Sequence, residues 1–451
     1  MQKADNNGKK QTPRQLCLSL LLKTELMGAY SNIALDKAFS STDISVRDRA
    51  FAAALFYGTL EKKLLLDYNL SLVSDTPINR LQPEVLTILR MGAYQIFFMD
   101  SVPSPAAVSE SVDLCRRFGA GESSGFINGV LRALCRNTEL RLPNPKKGKN
   151  KYFSIKYSCP ETIVRLWREG YGDDTALKIL QSLYGRPAIC ARVNTLKTDA
   201  QSLIDILSQE NIKAEAHRYI KDALLISGTG NIRELDSYKN GLFHIQDAAS
   251  QLCCMALDCK SGQTVTDMCA APGGKSFTIA EYMGNAGSIL SCDLYESRLS
   301  LIKSGSERLG IDIISTKAAD SSKSEGLMMS DRILCDVPCS GLGIIRRKPE
   351  LRYKTELGTD TLPQLQYEIL SNSARFLKSG GVLVYSTCTL NPAENHGVVK
   401  RFLCGHSDFK PGRLKLPEGI KGQPFDAENE LTLIPGEYDS DGFFISVMTK
   451  V

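Results

Sequence analysis

The chain has 451 residues, 43% of them hydrophobic and 23% charged, with a formal net charge of +5. This composition excludes collagenous, intrinsically disordered and disulfide-scaffold classes, and the length predicts two to four domains at roughly 100–200 residues each. No run of about 18 apolar residues marks a membrane span, and the polar start MQKADNNGKK lacks an apolar signal core, so a cytoplasmic protein is expected.

From Pro13 to about Leu134 the pattern is helical. In LQPEVLTILRMGAYQIFFM, apolar or small residues fall at Val85, Ile88, Leu89, Gly92, Ala93, Ile96 and Phe97, the spacing of a buried helix face, with Pro83 in the first turn. SVRDRAFAAALFYGTLEKK and AAVSESVDLCRRFG read the same way, which predicts an all-α bundle. Residues 1–150 carry 20 Lys and Arg against 14 Asp and Glu, a balance of +6, while the remainder is near −1. Basic charge at one end suits an anionic partner such as nucleic acid, and equally a solvated surface.

Arg141 to Lys151, RLPNPKKGKNK, has no periodicity and reads as a basic linker or a solvated loop. Residues 152–240 then mix helix and strand. Ile189, Ala191 and Val193 alternate as in a strand, ALLIS (Ala223 to Ser227) is a second apolar run, and TDAQSLIDILSQE suits a helix. From Gly241 onward the short runs TVTDM, SILSCD, RILCDV and GGVLVYS alternate with helical stretches, predicting βαβ units and a largely parallel sheet over 241–451.

Fourteen cysteines, none in a C-x-x-C pair, predict reduced thiols, either packed as small hydrophobes or used as nucleophiles. Four histidines (His217, His244, His396, His406) are scattered without ligand spacing, so no metal site is expected. His396 lies just beyond Cys388, but a surface position on a helix accounts for it better than a Cys–His dyad does.

Three segments carry chemistry. Val265 to Lys275, VTDMCAAPGGK, is a strand running into a small-residue turn and a helix start, where backbone can approach an anionic ligand closely. The next strand ends in Asp293, placed to accept the hydroxyls of a ribose. The turn lacks both G-x-G-x-x-G and the P-loop pattern, and by spacing alone a structural turn and a cofactor site stand level. In DRILCDVPCSGLG a strand ends in Asp336 and is followed by Cys339; in GGVLVYSTCTLNP another delivers Cys388. In open α/β sheets ligands bind beyond the carboxyl ends of the strands, where Asp293, Asp336, Cys339 and Cys388 are expected to converge. Each cysteine taken alone is as well explained by packing.

DMCAAPGGKS, CDVPCSGLG and YSTCTLNPAEN, together with HIQDAASQL, RRKPELR and DGFFI, resemble in order and spacing the S-adenosylmethionine-dependent RNA cytosine-5 methyltransferases. RVNTLK (Arg192 to Lys197) resembles the small RNA-binding segment of those enzymes, and FINGVLR (Phe126 to Arg132) lies in helices that resemble a NusB-type RNA-binding bundle. The combination is similar to the RsmB (Sun/Fmu) family, which methylates 16S ribosomal RNA.

The resemblance implies an all-α NusB-like domain over 1–140, a linker over 141–151, a small α+β RNA-binding segment over 152–240 and a Rossmann-like methyltransferase domain over 241–451. It implies Cys388 as the nucleophile, Cys339 as the thiol that assists release, Asp336 at cytosine N3, and Lys275 setting the charge balance. For S-adenosylmethionine it implies Cys269, Ala270, Ala271, Pro272, Gly273, Gly274 and Lys275 around the methionine end, Asp293 at the ribose and Asp320 at the adenine, with Asp336 alongside. Arg192, Arg346 and Arg347 become candidate phosphate contacts.

The partner implied is RNA, 16S ribosomal RNA in the first place, acted on by a monomer. Transfer RNA or 23S RNA as substrate, and a non-catalytic RNA-binding assembly factor, stay open as alternatives. An amino-group methyltransferase fits less well, since Asp-Val-Pro-Cys replaces the Asn/Asp-Pro-Pro-aromatic motif. Val337, Lys348 and Cys159 depart from residues common at those positions, and none has a catalytic role to inherit.

Overall fold

A computed structural model describes residues 11–451 apart from 43, 138, 186 and 355–360. It divides into two compact units: the described residues of Met1–Glu169 with Lys348–Thr355, and those of Gly170–Arg347 with Glu356–Val451.

The first unit is helical, as the periodicity predicts. Its opening helix, Pro13–Met27, starts with a reciprocal capping box between Thr12 and Gln15 and ends on left-handed Gly28. Pro83–Phe98 is the most deeply embedded helix: Val85, Ile88, Leu89 and Ala93 are buried with Leu131 and Ile127 of Ser124–Arg136 and with Leu55 and Phe56 of Val46–Glu61. Arg90 on this helix is buried, and its fork binds Asp67 through two nitrogens and Glu25 through a third, so the charge is fully paired.

The basic stretch 141–151 is a correction to the linker expectation. Asn69 binds the backbone of Arg141 at both its amide and its carbonyl, Pro145–Lys147 is a short 3-10 turn, and Lys149–Tyr157 is a helix of the first unit. Lys348–Thr355 also belongs to this unit. Arg352, 1% exposed, donates to the Ser158 carbonyl at 2.9 Å, the Tyr353 hydroxyl reaches the Leu60 and Ser158 carbonyls, and the Glu350 carboxylate accepts from the Ser31 N–H.

The second unit contains two sheets. The smaller comprises β1 (Ile189–Val193), β2 (Lys213–Ala216), β3 (Ala223–Ser227) and β4 (Phe243–Ile245), antiparallel in the order β2-β3-β1-β4. Helix Ala200–Gln209 packs Leu203 and Leu207 on one face of it. The expected end of this segment at residue 240 shifts, because Phe243–Ile245 pairs with β1 and closes the small sheet. Its first strand begins at Ile189, and residues 152–169 are helical and grouped with the first unit.

The larger sheet comprises β5 (Thr264–Asp267), β6 (Ser288–Asp293), β7 (Ile314–Ala318), β8 (Ser330–Asp336), β9 (Leu377–Thr387), β10 (Phe409–Pro411), β11 (Glu430–Leu433) and β12 (Phe443–Lys450). The order is β10-β12-β9-β8-β5-β6-β7, with β11 on β12. The strands β7, β6, β5, β8 and β9 run parallel, and β12 is antiparallel to β9. The strands read as apolar runs because helices such as Ala248–Ala256, Gly274–Tyr282 and Thr361–Ala374 cover them. Succession reverses at β5, with β6 on one side and β8 on the other, which opens a crevice beyond the carboxyl ends of β5 and β8.

Candidate active site

The turn after β5 is built for close approach. Gly273 has φ +109°, and a Cβ there would lie 2.5 Å from the Phe277 ring, so glycine alone fits. The Ala270 N–H donates to the Cys292 carbonyl, and the Ala271 N–H donates to the Asp293 carboxylate at 3.2 Å. Asp293, 3% exposed at the end of β6, also accepts from the Tyr295 N–H and from Arg298, whose fork in turn donates to the Ala271 carbonyl. This clamp locks two strand ends around one edge of a cavity of about 490 Å³. Met268, Cys269, Ala271, Asp293, Tyr295 and Asp320 line it, and Asp336 and Pro338 lie at its other end. That volume falls in the range of small-ligand sites.

Asp320 accepts from the Ser322 N–H and hydroxyl and lies 3.2 Å from the Lys323 ammonium, which hold its carboxyl below the ordinary value. Asp267, at the end of β5, is fully buried; burial pushes its carboxyl up to about 7 despite the Ser276 hydroxyl donating to Oδ2. Its Oδ1 has no hydrogen-bond partner.

Lys275 opens helix Gly274–Tyr282 and points its ammonium at Asp336, 2.7 Å away at the end of β8. The Ser386 hydroxyl of β9 donates to the other carboxylate oxygen at 2.8 Å, and the Ser250 hydroxyl lies 3.3 Å from Lys275 Nζ. Burial works against the Lys275 charge, but the Asp336 carboxylate outweighs it and holds the ammonium above its ordinary value.

Beyond these groups the Sγ atoms of Cys339 and Cys388 lie 3.3 Å apart. Cys339 follows β8 and Cys388 follows β9, and both are part-exposed. The hydrogen bond to Cys388, then burial, then the charge of Cys388 and after it that of Glu394 push the Cys339 thiol well up. Gly343 draws the surrounding loops together: its N–H donates to the Cys388 carbonyl and its carbonyl accepts from the Gly442 N–H. A Cβ on Gly343 would lie 1.9 Å from the Gly442 oxygen. All fourteen cysteines are free; burial pushes Cys159, Cys190, Cys253, Cys259, Cys292 and Cys335 to about 12 and raises Cys17, Cys254 and Cys269 as well. Thiols so held are poor nucleophiles at neutral pH.

Asp293 and Asp336 thus line one cavity and Cys339 touches Cys388, but the arginines do not behave as one group. Arg192 is corrected: its side chain is 1% exposed, it donates to Glu281 at 2.7 Å, and it stacks over the Tyr282 ring. At that burial the fork is closed to a phosphate in solution. Arg347 binds Asp441 and Asp247, and Arg346 lies 3.7 Å from Asp441, so both are engaged with carboxylates at the foot of the site. His396 faces Glu430 at 3.0 Å rather than Cys388. Sequence reasoning missed Glu394, buried between the two cysteine loops, because nothing in NPAEN distinguishes a buried acid from a solvated one. Among the described residues no cluster suits a metal ion, and no helix is long and apolar enough to cross a membrane.

Comparison with known proteins agrees segment by segment. The chain matches the family model of 16S rRNA methyltransferase RsmB/F over residues 254–449, the NusB family over 11–136, and the RsmF/B-like ferredoxin-like domain over 159–233. It is 38% identical to a probable ribosomal RNA small subunit methyltransferase B of Bacillus subtilis (strain 168), covering 98% of this chain and 99% of the relative. It is 34% identical to the protein of the same description from Synechocystis sp., over 97% and 99%. Among solved structures, PH0851 superposes with a TM-score of 0.82 at 26% identity, over 97% of this chain and 98% of that one.

The cofactor of such enzymes is S-adenosylmethionine, and the residues present suit it. The orphaned Asp267 oxygen offers an acceptor at the start of the turn, and Asp293 and Asp320 line the cavity. With these family matches and 38% identity over 98% of its length, the chain belongs to the ribosomal RNA small subunit methyltransferase B family.

Proposed function

We propose that this protein methylates C5 of a cytosine in ribosomal small-subunit RNA through a covalent adduct on Cys388. The observation that carries the reading is the pair of sulfurs 3.3 Å apart at the ends of β8 and β9, next to the Lys275–Asp336 pair.

S-adenosylmethionine supplies an electrophilic methyl group; the Cys269 to Lys275 turn, Asp267, Asp293 and Asp320 would hold it. Cytosine C5 is too weak a nucleophile to take that methyl unaided. The Cys388 thiolate adds to C6, forming an S–C6 bond and pushing the C5–C6 electron pair toward the ring, so that C5 becomes nucleophilic. Asp336 holds or delivers a proton at N3 and offsets the charge that develops there. Lys275 keeps that carboxylate oriented, and the Ser386 hydroxyl fixes its second oxygen.

After methylation a base, such as a water molecule, takes the C5 proton; the C5–H electrons re-form the C5–C6 double bond and the S–C6 electrons return to the Cys388 sulfur. Cys339, hydrogen-bonded to Cys388, is the group beside the departing sulfur and assists this release. The raised value of the Cys339 thiol suits a group that keeps its proton beside the departing sulfur. The target base has to leave its stack to expose C6 to Cys388. The helical unit, as a NusB-type bundle, would grip RNA.

The test is Cys388→Ala. Turnover should fall by about 10⁴-fold or more, as expected for loss of a covalent nucleophile, and Cys339→Ala should accumulate a denaturant-resistant protein–RNA adduct. Mass spectrometry of the product then locates the methyl carbon, and bisulfite sequencing of ribosomal RNA from cells lacking the gene locates the nucleotide. A methyl group on N4, or an active Cys388→Ala protein, would sink the reading.

A further inference from the structure

Glu394 follows Cys388 by six residues and is 1% exposed, with no cation recorded against its carboxylate. A buried acid in that position needs donors, and it has four. Oε2 accepts from the Ser340 N–H at 2.9 Å and from the Gln366 amide at 2.9 Å. Oε1 accepts from the Asn391 amide at 2.8 Å and from the Ser340 hydroxyl. Every contact is a neutral donor, which an ionised, acceptor-only carboxylate satisfies and a neutral amide cannot.

The donors come from different loops. Ser340 is the residue after Cys339, Asn391 lies three beyond Cys388, and Gln366 sits on helix Thr361–Ala374, where its amide also reaches the Pro338 carbonyl at 2.9 Å. The Ser340 hydroxyl bridges further to Thr389, the residue after Cys388, at 2.7 Å. Helix, first loop and second loop are therefore tied at one carboxylate. The Tyr385 hydroxyl donates to the Glu394 carbonyl at 2.6 Å and fixes that carboxylate's own backbone.

We propose that Glu394 is a positioning residue: its carboxylate latches the Cys339 loop to the Cys388 loop and sets the spacing of the two sulfurs. This rests on the two-cysteine reading given above and names the group that makes the pair work. A separation of 3.3 Å between sulfurs on separate loops is not maintained by either strand alone, and a shift of about 1 Å would uncouple the hydrogen bond between them. The negative charge beside Cys339 disfavours its thiolate, as does burial, so the latch is electrostatic as well as geometric.

The experiment compares Glu394→Gln with wild type in the full-length protein. The expected result is a fall in kcat of about 10- to 100-fold, with KM for RNA and affinity for S-adenosylmethionine unchanged within about threefold. A second readout does not need turnover: the pH dependence of iodoacetamide labelling of Cys339, followed by mass spectrometry in a Cys388→Ser background. Adding Glu394→Gln should move its midpoint down by about one pH unit, because a nearby negative charge is gone.

A labelling profile that superimposes on the Cys388→Ser control overturns the proposal, and so does a parallel loss of cofactor affinity, which would mark a general structural role. Should Glu394→Gln fail to fold, Ser340→Ala cuts one strand of the latch and leaves the carboxylate three donors. A kcat several-fold below wild type at unchanged cofactor affinity then supports the latch, and wild-type kcat overturns it. Failure of the two-cysteine reading shows separately, as an active Cys388→Ala protein, whatever the labelling of Cys339 does.

Discussion

Helix Gly274–Tyr282 carries a charged pair at each end, and the two pairs do different work. At its first turn Lys275 meets Asp336 at 2.7 Å, with side chains 14% and 26% exposed. Near its last turn Glu281 meets Arg192 at the same 2.7 Å, with side chains 0% and 1% exposed. Chemistry and distance match; access does not. The first pair opens on the cavity and can change partners when substrate arrives, whereas the second is sealed against the small sheet.

The largest effect that would sharpen the contrast is Asp336→Asn. It should lower kcat by roughly 10²–10⁴-fold, with the thermal midpoint nearly unchanged; wild-type turnover would remove Asp336 from the chemistry. Arg192→Met should do the reverse, costing about 3–5 kcal/mol in denaturant unfolding because Glu281 is left buried and unpaired, while kcat of the folded fraction stays within about threefold. A large change in RNA affinity instead would restore Arg192 as a phosphate contact. Replacing both partners, Arg192→Leu with Glu281→Leu, should recover most of that stability, since a buried pair often contributes little beyond an apolar one of the same shape.

The smallest effect is a pH dependence. Burial first, then Arg192 and Arg308, hold His244 down at about 3 from its ordinary 6.5. Between those values the unfolded chain binds a proton that the folded one excludes, so stability is complete above about pH 6.5 and falls as pH drops below it. Going from pH 7.5 to 5.5, wild type should lose about 1 kcal/mol more than His244→Asn, read from urea unfolding at each pH. Parallel losses would show that His244 accepts a proton in place.

The site was legible where a motif and a strand end coincide. Apolar runs finishing in Asp293 and Asp336, and T-C and P-C after successive strands, place their side chains at one edge of a parallel sheet by topology alone. Arg192 misled because the alternation of Ile189, Ala191 and Val193 implies one buried face and one open face. In the structure Ala191 and Val193 pack under helix Ala200–Gln209, and Cys190 and Arg192 on the opposite face meet the catalytic domain. Burial on the second face comes from residues nearly 90 positions away, which local periodicity does not encode.

Glu394 was illegible for the same reason: its donors, Ser340 and Gln366, lie 54 and 28 residues back in the chain. The helical unit read well from period 3.6, yet the stretch 141–151 looked like a tether because Pro, Gly and Lys mask its anchorage on Asn69.

The excursion of Lys348–Thr355 into the helical unit bears on how this protein can be dissected. The polypeptide passes between its two units after Glu169, after Arg347 and again after Thr355, so the halves are not beads on a string. Deleting residues 1–169 would strip Glu350, Arg352 and Tyr353 of the Ser31, Ser158 and Leu60 groups they bind. An orphaned arginine and glutamate would then sit twelve or so residues from Cys339 along the same strand-end excursion. A truncated catalytic half that proves inactive would therefore report a damaged excursion as readily as a lost grip on RNA, and the cleaner partition is to replace the host surface, residue by residue, while leaving the guest segment housed.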